Sequence, residues 1–169
     1  AQLLLQGIGD GVQPLISFYY GAKKEEKIHI LYRKAFFVTV AASLVLCIAV
    51  VLFLNPLTAL FGISDAIFEG AKTAILITTV SFPFLGITRV TSAIFYATEK
   101  TRNSTFLVYM EPCLLLPLSL FVLSFLFQLS GIWAAYPVAQ ILLCTIALFM
   151  KNPLHAPVTV PQTQEQTLC

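Results

Sequence analysis

Charge is the scarcest thing in this sequence. Only 11% of its 169 residues are charged and 58% are hydrophobic, where a soluble domain carries about 25% charged residues. Mean hydropathy is +0.87. These values exclude a soluble globular domain and leave an integral membrane protein, with the lipid bilayer as its partner. The net charge of +2 does not suggest nucleic-acid binding, because the basic residues border apolar runs instead of covering one face. Cysteine motifs are missing too. Cys47, Cys113 and Cys144 lie inside apolar runs and Cys169 ends the chain, so neither a disulfide nor a metal site is indicated. His29 and His155 flank apolar runs and read as solvated loop residues. Nucleophile elbows, HExxH, Walker loops and GxGxxG are absent. So are carboxylates at catalytic spacing, since Asp65 and Glu69 stand on a connector and read as solvated. Neither enzymatic activity nor a cofactor is expected. The chain begins Ala-Gln-Leu-Leu-Leu, with no basic region before its first apolar run. It reads as the middle of a longer protein, with helices upstream.

What is present is a series of apolar runs, each near the roughly 20 residues that cross a bilayer. Five fall at about 1–22, 32–54, 71–97, 106–128 and 132–150. The fold class is therefore all-α, a polytopic transmembrane helix bundle. Asn55-Pro56 stops the second run. The connector after it carries Leu60, Phe61, Ile67 and Phe68 and is expected in the interface. Pro112 and Pro117 predict a kink in the fourth run, with Glu111 as an interfacial acid near its entrance. Ser130-Gly131 reads as a tight connection, and Trp133 and Tyr136 as an aromatic belt. Residues 152–169 hold Pro153, Pro157 and Pro161 and read as a disordered tail. Lys23, Lys24, Lys27, Arg33 and Lys34 follow the first run, Lys100 and Arg102 the third, and Lys151 the fifth. The other side has only Lys72. The positive-inside rule then puts the C-terminus in the cytoplasm, with the protein multi-pass in the cell membrane.

The first run holds the most informative stretch. Gly7 to Lys24 reads GIGDGVQPLISFYYGAKK. A charge at membrane depth costs a few kcal/mol unless it is paired or wetted, so Asp10 should face a polar interior. Pro14 has no N–H, and the Asp10 carbonyl four residues earlier loses its helical partner. Gly7, Asp10, Pro14, Ser17 and Gly21 share one face, with Gln13 beside it. Asp10, Gln13 and Ser17 are thus candidates for a cation or proton site. Two structural readings stand beside that one. Asp10 could cap the lower half of a broken helix, and Gly7 and Gly11 could form a close helix contact. Phe18, Tyr19 and Tyr20 offer ring faces to a cation, or form an interface belt beside Lys23.

The third run carries hydroxyls. Ser81, Leu85, Thr88, Ser92 and Tyr96 fall on one face, with Pro83 and Gly86 mid-run. Ser81, Thr88, Arg89, Ser92 and Tyr96 are candidates for lining a passage; hydroxyls there also serve as helix glue. Arg89 sits roughly 7–8 Å past the midpoint at 1.5 Å per residue. It snorkels, meets an interfacial partner, or pairs with an acid inside the bundle, Asp10 being one candidate.

GIGDGVQPLISFYYGAKK resembles the signature at the eighth helix of multidrug and toxic compound extrusion (MATE) transporters, in their multidrug-export branch. Gly131-Ile132-Trp133-Ala134-Ala135-Tyr136-Pro137 is similar to a run near that family's last helix, and Thr91 to Lys100 to the end of its tenth. The resemblance implies a partial lobe of a twelve-helix transporter, helices eight to twelve. It implies cation/drug antiport by alternating access, with H+ or Na+ as coupling ion and cationic amphipathic small molecules as cargo. The N-terminal helices of the full-length transporter would then be partners. The run matching helix ten carries no acid, which leaves Asp10 as the deep acid of this chain. A lipid-linked oligosaccharide flippase of the same superfamily should line its cavity with several basic residues, and only Arg89 qualifies here. A small helical subunit or a truncated, inactive membrane protein is the remaining alternative.

Overall fold

The computed structural model describes residues 2–60 and 65–151. Every regular element among them is helical, so the expected all-α bundle is what the chain forms. Lipid offers no hydrogen bonds, and a helix satisfies its backbone within one segment. Helix α1 is Gln2–Gly21 and α2 is Glu25–Leu52. Then come α3 Leu54–Leu60, α4 Asp65–Thr79, α5 Phe82–Ala97 and α6 Thr101–Met110. A π-helical turn, Glu111–Leu115, leads into α7, Leu116–Lys151. Helix α7 is two limbs, because Gln128 (φ 51°, ψ −127°) reverses the chain within it.

Four helical stretches are long and apolar enough to cross a membrane: Glu25–Leu52, Phe68–Ala97, Thr101–Gln128 and Ser130–Met150. Helix α1, with 20 residues, has the length, about 30 Å at 1.5 Å per residue. Its glutamines and Asp10 dilute its apolarity.

Several details differ from the sequence expectation. Helix α1 runs unbroken through Pro14, so Asp10 caps no half-helix. The basic loop shrinks to a turn, because α2 begins at Glu25 and carries Lys27, His29 and Arg33 on its first turns. Glu25 and Glu26 there complement the helix dipole. Lys23 closes α1 in the left-handed region at φ 54°, with Lys24 N–H donating to the Tyr19 carbonyl and Lys23 N–H to that of Tyr20. This is a Schellman end built on lysine instead of glycine. The third crossing breaks at Val80 and Ser81 and restarts with Pro83 in the first turn of α5, where a missing N–H is harmless. The prolines of the fourth crossing are met by the wide turn Glu111–Leu115 instead of a sharp kink. The hairpin before the fifth crossing turns at Gln128, and Gly131 lies so close to the Leu123 carbonyl that a Cβ there would collide with it. Residues 61–64 of the expected interfacial connector and the expected disordered tail 152–169 lie outside the described residues.

Helix α5 is the axis of the bundle. It packs against α1, α2, α6 and α7, and nine of its residues are buried. On one side Val90, Ile94 and Ala97 join Ile16 of α1 and Ala35 of α2. On the other, Phe95 joins Leu107, Leu115, Ala139, Leu143 and Ala147. Small residues let α1 approach closely: the Gly9 Cβ position is 3.3 Å from the Arg89 carbonyl oxygen and 3.5 Å from Ala93 Cβ. Gly7 and Gly11 have nothing within 4 Å of theirs, so the expected glycine contact is made by Gly9 and not by that pair. Large apolar side chains such as Phe37, Phe121 and Phe125 point outward.

Candidate functional site

The face of α1 singled out by spacing is its open face. Gly7, Asp10, Pro14, Ser17 and Gly21 are all exposed, while Leu5, Gly9 and Ile16 are buried against the bundle. The polar side of α1 meets α5 and α6 along a half-open cleft of about 370 Å³. Gln6, Asp10 and Gln13 line it from α1, Arg89, Ser92, Ala93 and Tyr96 from α5, and Ser104 and Val108 from α6. Asp10 has no hydrogen-bond or ion-pair partner among the described residues. Tyr96 is 56% exposed and lines the same space.

Other candidates have different places. Ser17 lies one turn beyond the cleft and donates to the Ala97 carbonyl at 3.5 Å, tying α1 to α5. Ser81 donates to the Thr78 carbonyl at 2.6 Å and Thr88 to that of Phe84 at 2.9 Å. Both hydroxyls are spent on the backbone of their own crossing. Ser92 does both jobs, lining the cleft and standing 2.9 Å from the Ser104 hydroxyl, which joins α5 to α6. Phe18 packs edge-on against Tyr19 and is not part of the cleft lining.

Arg89 neither snorkels nor pairs with Asp10. Its guanidinium donates to Glu111 Oε2 at 3.4 Å. The other carboxylate oxygen, Oε1, accepts from Nε2 of Gln140, a fully buried side chain on the second limb of α7. Glu111 itself is buried. Tyr136, one turn before Gln140 on the same limb, is half-buried beside this group instead of standing out in an aromatic belt. The network Arg89–Glu111–Gln140 thus binds α5, the π-turn and α7 together behind the cleft wall.

Sequence reasoning missed this network for a specific reason. It starts the fourth run near Phe106, which puts Glu111 at an entrance. The crossing is Thr101–Gln128, so Glu111 lies about ten residues, roughly 15 Å, along it at 1.5 Å per residue. Asp10 is therefore not the chain's sole deep acid. An acid directly before proline inside an apolar run, Glu111-Pro112, is the signal that could have found it.

Cys47 donates to the Thr79 carbonyl at 3.4 Å, and Cys113 and Cys144 are free thiols. Among the described residues, no group of three His, Cys, Asp or Glu side chains could hold a metal.

A family model described as MatE matches residues 1–119. The multidrug export protein MepA of Staphylococcus aureus (strain NCTC 8325 / PS 47) is 25% identical over 164 residues, covering 96% of this chain and 36% of that protein. MepA of Staphylococcus haemolyticus (strain JCSC1435) is 26% identical over 160 residues, covering 94% of this chain and 35% of that protein. The chain thus spans about a third of the length of the curated relatives it matches. No solved structure matches it.

Proposed function

The chain belongs to the MatE family, a multi-pass membrane protein on the evidence of its helices, and from that premise we propose that it is the C-terminal part of a secondary active multidrug efflux transporter. The observation that carries this reading is the unpaired Asp10 carboxylate in an open, polar cleft on the face of α1 that the bundle leaves uncovered. A lone carboxylate at membrane depth is costly and finds its use when a cation or a proton occupies it. The Asp10 carbonyl, without a helical donor because of Pro14, adds a backbone oxygen of the kind transporter ion sites use. Gln13 supplies a further oxygen. The Tyr96 ring offers an aromatic face to an organic cation. The name of the relatives, multidrug export protein, supports export of drugs as the activity.

In this reading the protein exchanges a cationic amphipathic molecule for H+ or Na+ across the cell membrane, with its C-terminus in the cytoplasm. Helices beyond this chain close the cleft. A flippase for lipid-linked phosphates is disfavoured, because the basic side chain at the cleft, Arg89, is already held by Glu111.

The test is efflux from cells or proteoliposomes holding the full-length protein. Asp10→Asn abolishes gradient-driven export of ethidium and leaves membrane insertion intact. Unchanged efflux would remove Asp10 from the mechanism. Imposing a proton or a sodium gradient alone identifies the coupling ion.

A further inference from the structure

The cleft wall carries two charged side chains, Asp10 and Arg89. Taken alone they cancel, and a cation would gain nothing from their sum. We infer that Glu111 sets the sign of the cleft. By neutralising Arg89 from behind, it leaves Asp10 uncompensated, so that the cleft accepts a cation where the same walls without Glu111 would favour a neutral or anionic molecule. This rests on reading the cleft as the binding site of the exported molecule.

The geometry supports a fixed role. Glu111 does not line the cleft; its side chain is 11% exposed and that of Arg89 19%. One carboxylate oxygen holds the guanidinium at 3.4 Å and the other is held by Gln140, which is wholly buried. A carboxylate anchored at both oxygens cannot swing out to bind cargo. It holds the guanidinium in an ion pair with itself, and Arg89 forms none with Asp10. Glu111 is thus a positioning and specificity-determining residue that acts through Arg89. Once freed, Arg89 would share the cleft with the ligand and compete for Asp10. A like charge several ångströms away at near-surface dielectric is worth about tenfold in affinity or more.

The experiment is fluorescence polarisation of ethidium, a cation, and fluorescein, an anion, on purified full-length protein in nanodiscs. Glu111→Gln is expected to bind ethidium about tenfold more weakly and fluorescein more tightly. The decisive variant is Arg89→Gln combined with Glu111→Gln, which restores ethidium binding to within about threefold of wild type because it removes both charges at once. A merely structural role for Glu111 would leave the double variant as poor as the single one, and that result overturns the inference, as does an unchanged Glu111→Gln. Should Glu111→Gln fail to elute as a folded protein, Arg89→Gln alone decides: retained ethidium binding supports the inference and lost binding overturns it. Wild-type protein that binds no ethidium overturns the efflux reading and this inference together. Wild-type binding with an unaffected Glu111→Gln overturns the inference alone.

Discussion

Gln140 shows how much one buried amide can hold. It is fully buried, and its Nε2 donates to a carboxylate that also carries Arg89. Gln140→Leu removes a hydrogen bond to a charged group, a loss of about 1.5–3 kcal/mol. A lower thermal midpoint in detergent checks this; an unchanged midpoint would mean the bond contributes nothing. The same residue marks where sequence reading stops. The shared face of Gly7, Asp10, Pro14 and Ser17 is legible because helical periodicity is local, and the structure leaves that whole face open. The partner of Arg89 is not legible. Glu111 is 22 residues away, and their meeting depends on how α5 crosses the π-turn, which no local spacing encodes.

Helix ends and turns obey backbone sterics, and here two residues pull in opposite directions. Lys23 sits at φ 54°, a conformation that costs a side-chain-bearing residue about 1–2 kcal/mol. Lys23→Gly is expected to stabilise the protein by about 0.5–1 kcal/mol, visible as a raised thermal midpoint. Gly131 has the reverse constraint. With Leu123 backbone pressed against it, Gly131→Val forces the two limbs of α7 apart, at a cost of about 1–3 kcal/mol or more. Poor yield of folded protein on size exclusion is the readout. Four of the five apolar runs match helices long and apolar enough to cross a membrane, because hydropathy over twenty residues is a strong signal; the first has the length without the apolarity. The ends of the runs are less legible. Helix α2 reaches back to Glu25 because a charged first turn can still be helical outside the hydrocarbon. The π-turn escapes the sequence because prolines announce a distortion without naming which one.

The crossings as a set predict a topology. Successive crossings that alternate in direction put the turn at Lys24 and the turn before α6 at one end of the bundle and Gln128 at the other. In a full-length protein with its native cysteines replaced, Lys24→Cys and Arg102→Cys should react with an impermeant maleimide from the cytoplasmic side, and Gln128→Cys from outside. Labelling of Gln128→Cys and Lys24→Cys from one side would overturn the three crossings that separate them. Helix α5 carries a further consequence for life in a bilayer. Flanked by four neighbours of its own chain, it keeps little surface for acyl chains and has no room to slide. When the membrane thickens or thins, the bundle must respond by tilting as a block about this axle, since mismatch is absorbed by tilt or by distorting the surrounding lipid. The phenylalanines that jut from α2 and the first limb of α7, not the polar heart of the protein, then take up the strain.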